Sequence, residues 1–162
     1  MGESAHDVAA RHARYRRSFL RRRGWPCCVG VPTVAGIGAA VARPEQPTLI
    51  VEGDGGILMR LPELETAARE RIPIIVVVLD DRAYGAELHL LAAEGLPTRL
   101  ALFDTPDLVR VAASLGCQAV RAESAEALRA ALAAADGRRP LVVHVPVTRQ
   151  VVHHAIVRAL RP

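Results

Sequence analysis

Two acidic turns, each following a short apolar run, carry the residues of this chain that could do chemistry. Gly53-Asp54-Gly55-Gly56 follows residues 47–51, and Asp80-Asp81 follows residues 74–79. Runs of this length, rich in β-branched residues, are typical of strands buried on both faces of a sheet. Carboxylate and carbonyl oxygens are the ligands that Mg²⁺ uses when it also holds a phosphate. The two turns are therefore candidates for a metal site.

A helix is predicted between the two strands. Residues 61–71 have apolar side chains at helical spacing, and Pro62 falls in the first turn, where proline leaves no backbone bond unmade. Pro73 ends this helix. The strands of a strand–helix–strand unit in one sheet are almost always parallel, so both end at the same edge. Asp54 and Asp81 are therefore expected to face one crevice, where open α/β sheets bind ligands.

Glycines surround the first carboxylate. Because Gly53, Gly55 and Gly56 lack side chains, the backbone can approach a ligand closely, and N–H groups at the start of the following helix can bind an anion. Carboxylates for a cation beside N–H groups for an anion predict a site for a Mg²⁺–diphosphate.

The stretch that contains both turns resembles the thiamine diphosphate motif of the acetolactate synthase-like enzymes and 2-oxo acid decarboxylases. The resemblance is carried by GDGG, the PELETAA helix, a buried strand and DDRAYG, and it extends upstream through VGVPTVAGIGAAVARPEQPTLIV and downstream to about Val147. It implies the C-terminal, diphosphate-binding (PP) domain, a three-layer α/β/α fold with a mainly parallel sheet. The implied cofactors are thiamine diphosphate and Mg²⁺.

The resemblance also assigns roles to individual residues. Asp54 and Asp81 would bind the metal through their carboxylates, and Ala83 through its main-chain carbonyl. The cofactor-binding set comprises these three and Val29, Gly30, Gly53, Gly55, Gly56, Tyr84 and Gly85, and no residue is assigned to catalysis. Two positions depart from the family pattern. Asp80 stands where the family usually has an asparagine of lesser importance to the metal, and Val29 stands where it has a bulkier residue that bends the cofactor.

In this family the cofactor supplies the chemistry on a 2-oxo acid, and a glutamate on a separate pyrimidine-binding domain activates it. No such domain fits before Gly24, so the resemblance implies a chain that is inactive alone and works in a homo- or hetero-oligomer. It would be a fragment, a truncated product or one subunit of a two-chain enzyme. The alternative is a non-catalytic remnant that serves oligomerisation or regulation.

Composition and charge limit the other function classes. The chain has 162 residues, 51% of them hydrophobic, which suffices for one domain with a sizeable core. We divide it into a basic arm over residues 1–26, a PP domain over 27–148 and a basic tail over 149–162. The arm carries most of the net charge of +4 and the rest shows no basic stripe, so no nucleic-acid partner is expected. A dinucleotide-binding fold is disfavoured because GDGG is not G-x-G-x-x-G.

The three cysteines match no zinc spacing and no disulfide framework, and no apolar run approaches the roughly 20 residues of a membrane span. We therefore expect a cytoplasmic protein without a membrane partner. Gly36 is interpreted as a close-packing position, and His144 as a satisfied residue at a sheet edge or end. The remaining predicted elements are helices over 34–42, 84–94, 106–115 and 124–135, strands over 117–121 and 141–145, and a loop over 95–105.

Overall fold

The computed structural model describes residues 30–151, which contain one parallel four-stranded sheet. The strands are β1 (Thr48–Gly53), β2 (Ile74–Asp80), β3 (Gln118–Arg121) and β4 (Leu141–Pro146), in the spatial order β1-β2-β4-β3. Val29, the arm over 1–26 and all but the first three residues of the tail lie outside the described residues.

Helices cover both faces of the sheet, which confirms the predicted three-layer α/β/α fold. In chain order they are α1 (Val31–Ala42), α2 (Asp54–Leu58), α3 (Leu61–Arg69), α4 (Gly85–Ala93), α5 (Leu108–Ser114) and α6 (Ala125–Ala133), with a short 3₁₀ helix at Arg99–Ala101. Within the described range, no helix is long and apolar enough to cross a membrane.

Two apolar layers hold these elements together. On one face, Val76 and Val78 of β2 pack with Leu64 of α3 and Leu108 of α5. On the other face, a second cluster joins the central strands to α6; its members are Ile75, Val77, Leu141 and Val143 with Leu128 and Leu132. Burial of these aliphatic side chains is the main stabilising contribution to the fold.

The sheet edge formed by β1 is the least covered part of the sheet. Leu49 and Val51 retain 44% and 53% of their surface, whereas Ile50 on the opposite face is buried. Among the described strands, only β2 pairs with β1. This edge therefore exposes apolar side chains and unpaired backbone groups together.

The elements differ from the predictions in two places near the functional turns. The GDGG turn is instead the short helix α2, which begins at Asp54 and buries Ile57 completely against the core. Helix α5 begins at Leu108 rather than at residue 106, because Asp107 is its N-cap and accepts a hydrogen bond from the Arg110 N–H at 3.1 Å. The other predicted helices and strands are confirmed within one to three residues at their ends, a normal uncertainty for helix boundaries.

Two glycines of α1 provide a matched pair for testing how this helix packs. A Cβ at Gly36 would overlap the Ile50 side chain, which confirms Gly36 as a close-packing position, whereas a Cβ at Gly38 would have no neighbour within 4 Å. We expect Gly36→Ala to lower the free energy of unfolding by about 1–3 kcal/mol through overpacking. Gly38→Ala should raise it by up to about 1 kcal/mol through helix propensity.

Urea unfolding of both variants measures these changes. Equal effects of the two substitutions would contradict the packing of α1 on β1.

Candidate functional site

The carboxyl ends of β1 and β2 lie side by side, as the strand–helix–strand argument predicts. The parallel register pairs Gly53 with Leu79, the last residue but one of β2. Asp54 follows β1 as the first residue of α2, and Asp80 ends β2. Both aspartates are buried, with 2% and 6% of their surface exposed. Two acidic side chains are therefore brought together inside the protein.

The two buried carboxylates share their hydrogen-bond donors. The Arg82 N–H donates to Oδ2 of Asp54 at 3.0 Å and to Oδ1 of Asp80 at 3.0 Å. The Thr105 hydroxyl lies 3.0 Å from Oδ2 of Asp54 and 2.9 Å from Oδ1 of Asp80. Because a hydroxyl has one proton to donate, the four contacts cannot all be full hydrogen bonds at once.

His144 anchors one member of this pair. Nε2 of His144 lies 2.7 Å from Oδ2 of Asp80, and both side chains are buried. β4 lies between β2 and β3, so His144 is not on an edge strand, although its side chain is satisfied as expected. The histidine therefore orients the Asp80 carboxylate from the neighbouring strand.

The pKa values of the two aspartates move in opposite directions. Burial, together with the neighbouring Asp80 carboxylate, raises the pKa of Asp54 to about 6 against hydrogen bonds from Gly55 and Thr105. Burial also acts to raise the pKa of Asp80, but its hydrogen bonds, led by that to His144, outweigh burial and lower it. Repulsion between two buried carboxylates is the condition that a divalent cation relieves. The residues at this edge therefore fit Mg²⁺, which takes oxygen ligands.

Asp81 occupies a different position from Asp80. Its Oδ1 accepts a hydrogen bond from the Ala83 N–H at 3.1 Å, and a Cβ at Gly85 would lie 2.7 Å from its Oδ2. The Ala83 residue is buried, and within the described residues no donor binds its carbonyl. The roles of Asp81 and Ala83 as metal ligands stay predictions, but the carboxylate that shares donors with Asp54 is that of Asp80.

Close packing explains the glycines of the first turn. A Cβ at Gly55 would lie 2.5 Å from the Tyr84 ring, and a Cβ at Gly56 would lie 2.6 Å from the Glu52 carboxylate. A Cβ at Gly53 would meet only the Leu79 carbonyl oxygen, at 4.0 Å. Gly55 and Gly56 are therefore required by contacts within the protein, in addition to any approach to a ligand.

Gly30 closes the site on the side of α1. It has φ of +79°, which favours glycine, and a Cβ there would lie 2.9 Å from Cγ of Arg60 and 3.3 Å from the Gly56 carbonyl oxygen. The Arg60 side chain thus lies over the Gly30 turn and brings a cation close to Gly56. We call Gly55 and Gly56, in the first turn of α2, the glycine loop. Arg60 belongs to no motif in the sequence, because its proximity to Gly30 depends on the packing of α1 against α3.

Tyr84 and the segment after α4 form a further wall. The Tyr84 and Phe103 rings lie 4.9 Å apart, and the Tyr84 N–H donates to the Ala101 carbonyl at 2.8 Å. None of the residues of α4 is buried, and Leu100 retains 76% of its surface. Other exposed leucines lie nearby in sequence; they are Leu90, Leu96 and Leu102. We call these four residues the leucine face.

Two adjoining cavities open at the same edge of the sheet. Their volumes are about 350 and 460 Å³, and both are lined by Asp80, Arg82 and Arg121. Thr105 and His144 line the larger one. Of the acid pair, Asp80 thus lines open space at the carboxyl ends of the strands, where ligands of such sheets bind.

The raised pKa of Asp54 predicts a specific pH dependence of stability in metal-free buffer. Because the folded state keeps this proton to higher pH than the unfolded state, its contribution is full below about pH 4 and lost as the pH rises through about 6. In the Asp54→Asn variant this side chain cannot ionise, so the pH-dependent loss of stability is absent. The unfolding free energy of the variant relative to wild type should increase over this range, by at most about 1.4 kcal/mol per pH unit, and then stay constant.

Urea unfolding with a chelator, repeated at several pH values, measures this difference. A difference independent of pH would contradict the raised pKa.

Known proteins are similar to this chain in sequence and in fold. The acetolactate synthase of Bacillus subtilis (strain 168) is 32% identical over 120 residues, covering 74% of this chain and 21% of the relative. The large subunit of acetolactate synthase isozyme 2 of Escherichia coli (strain K12) is 29% identical over 146 residues, covering 86% of this chain and 26% of the relative. The chain thus spans about a fifth to a quarter of the length of these relatives.

Solved structures show the same fold. The thiamine diphosphate-dependent 4-hydroxybenzoylformate decarboxylase of Rhodococcus jostii RHA1 superposes with a TM-score of 0.69 at 24% identity, over 74% of this chain and 23% of that one. Benzoylformate decarboxylase of Polynucleobacter necessarius gives 0.70 at 22% identity, over 76% and 24%.

A family model settles the relationship that the two acidic turns suggest. The family described as "Thiamine pyrophosphate enzyme, C-terminal TPP binding domain" matches residues 2–145, which include both turns and all the described strands except the last residue of β4. Thiamine pyrophosphate is another name for thiamine diphosphate. The chain therefore belongs to the family of C-terminal TPP-binding domains of thiamine pyrophosphate enzymes.

Proposed function

We propose that this chain binds thiamine diphosphate through Mg²⁺ at the carboxyl ends of β1 and β2, as the diphosphate-binding part of an acetolactate synthase-like enzyme that acts on 2-oxo acids. The observation that carries the proposal is the buried Asp54–Asp80 pair. Its two carboxylates compete for the same two donors, and a divalent cation bound to Asp54 would relieve their repulsion.

Each residue at this edge has a separate task in the proposed site. Asp54 and Asp81 would hold the metal through carboxylate oxygens, and Ala83 through its carbonyl. Asp80 acts as a second-layer residue that positions the Arg82 N–H and Thr105 with the help of His144. These contacts fix the turn after β2, on which two of the proposed ligands lie.

The diphosphate would lie between the Gly30 turn and the Gly55–Gly56 loop. Arg60 adds a positive charge at this place, because its side chain packs over Gly30. When bound, the cofactor supplies the carbanion chemistry by which this class of enzymes transforms 2-oxo acids. The described residues of this chain bind and orient it, and we assign none of them to proton transfer with the substrate.

A second domain is needed to complete this site. The four residues of the leucine face are exposed and apolar, and they lie in α4 and the segment that follows it, so they can contact an apolar protein surface. The matched region covers 21% and 26% of the length of these relatives, so most of each relative lies outside it. We propose that a pyrimidine-binding domain covers the leucine face in a homo- or hetero-oligomer, and that the chain is inactive without it.

The cellular location of the chain stays a prediction. Cys117 is the free, buried cysteine of the described range, and burial raises its pKa to about 11, which makes it an unreactive thiol. A cytoplasmic location agrees with this, and we retain it from the sequence analysis.

Calorimetric titration of the chain with thiamine diphosphate, with and without Mg²⁺, tests the site. We expect Mg²⁺-dependent binding by wild type and a loss of about 100-fold or more for Asp54→Ala, because the glycine N–H groups hold the anion and cannot replace a metal ligand. Asp80→Ala should weaken binding by about 10- to 100-fold, as removal of second-layer partners does. Asp104→Ala, which removes an exposed carboxylate next to Thr105, should have no effect.

Inorganic pyrophosphate with Mg²⁺ serves as a second ligand, since it needs only the half of the site that this chain provides. Equal affinities of wild type and Asp54→Ala would refute the metal site. An absence of Mg²⁺-dependent binding of either ligand by wild type would favour the non-catalytic remnant.

A further inference from the structure

Glu52 is a buried carboxylate with a role that the cofactor site does not yet explain. It lies on β1, two residues before Asp54, and retains 6% of its surface. Its Oε2 accepts a hydrogen bond from the Thr33 hydroxyl. Burial raises the pKa of this carboxyl, while the Thr33 hydroxyl and the nearby N–H groups of Thr33 and Gly30 act to lower it. Glu52 is thus bound to the first turn of α1.

No side chain of helix α1 or of its N-cap residue caps its N-terminus. The N-cap residue is Gly30, which has no side-chain oxygen, and the first turn contains no acidic residue. The first N–H groups of a helix need acceptors, and a negative charge there is stabilising. Glu52 brings a carboxylate to this end of the 12-residue helix from another element and holds it through the Thr33 hydroxyl.

The other carboxylate oxygen faces the glycine loop. Oε1 of Glu52 is buried and has no hydrogen-bond partner among the described residues. A Cβ at Gly56 would lie 2.6 Å from this oxygen and 2.9 Å from Cγ of Glu52. The side chain therefore fills the space between the first turn of α1 and Gly56 of α2.

We propose that Glu52 is a positioning residue that sets the separation between the Gly30 turn and the Gly55–Gly56 loop. These two segments are the walls of the diphosphate site, so the inference rests on the proposed function and extends it. Glu52 holds one wall by hydrogen bonds and the other by direct packing. It does not touch the reacting part of the cofactor.

A double-mutant cycle tests the contact between Glu52 and Gly56. Gly56→Ala alone should lower the urea midpoint strongly, because the new methyl group meets the Glu52 carboxylate. In the Glu52→Ala background the methyl group enters the space that the side chain has left, so Gly56→Ala should lower the midpoint much less or raise it. Strictly additive effects on the midpoint would overturn the contact.

Binding of Mg²⁺–pyrophosphate tests the positioning role. Glu52→Ala should weaken binding by about 10- to 100-fold, the range for residues that orient a site through others. Glu52→Gln should restore most of the affinity, since its amide oxygen can still accept from α1. Val142→Ala serves as the control, because it removes buried core volume in β4, a strand that contributes no residue to either wall; it should lower stability and leave affinity unchanged.

Backbone amide shifts of Gly30 and Gly55 separate this inference from the proposed function. Glu52→Ala should move both amide signals in the ligand-free chain, and Val142→Ala should not. If wild type fails to bind Mg²⁺–pyrophosphate, the proposed function fails while the amide shifts and the cycle still decide the role of Glu52. If Glu52→Ala does not fold, Thr33→Val replaces it as the test. This variant removes the hydroxyl that donates to Glu52, and it should shift the amide signal of Gly30. The proposal would be overturned if the amide signals of Gly30 and Gly55 stayed unchanged in Glu52→Ala. It would also be overturned if Val142→Ala lost as much affinity for Mg²⁺–pyrophosphate as Glu52→Ala does.

Discussion

Asp54 directly follows β1 and Asp80 ends the neighbouring parallel strand β2, and their carboxylates share one N–H group and one hydroxyl as donors. Such an arrangement of like charges inside a protein is unfavourable by itself. It persists because the sheet register fixes both residues and because several other elements contribute partners. The segment before α5 supplies Thr105, β4 supplies His144, and the turn after β2 supplies the Arg82 N–H. The carboxyl edge of the sheet is organised around this pair.

The backbone at Arg82 shows how strongly the pair constrains its surroundings. This residue has φ of 55°, a backbone conformation that is uncommon for residues other than glycine, asparagine and aspartate. The two carboxylates that accept its N–H hold it there. The chain that follows then places the Tyr84 ring against Gly55. The strain at Arg82 and the acidic pair are thus two parts of one local structure.

The sequence predicted the fold class and placed Asp54 and Asp81 at one sheet edge, because the buried runs, the helix between them and the resemblance to a known family all point the same way. The carboxylate that shares donors with Asp54 is that of Asp80, and the role of Asp81 as a metal ligand stays a prediction. The partners of the pair were not predictable in this way. Recognising His144 requires knowing that β4 is inserted between β2 and β3. Thr105 ends a predicted loop with no motif of its own, and only tertiary contacts bring its hydroxyl to the acidic pair. Glu52 adjoins the motif but binds a helix 19 positions away in sequence.

Manganese relaxation of backbone NMR signals tests the central claim most directly, because Mn²⁺ binds at magnesium sites and broadens the signals of nearby amides. With Mn²⁺ and inorganic pyrophosphate present, the account predicts selective broadening of the Gly55, Arg82 and Ala83 amides at the carboxyl edge. The Arg138 amide, in the loop that precedes β4 at the opposite edge, should remain sharp. Asp54→Ala should abolish the selective broadening. Broadening centred elsewhere, or unchanged in Asp54→Ala, would contradict a divalent cation at the ends of β1 and β2.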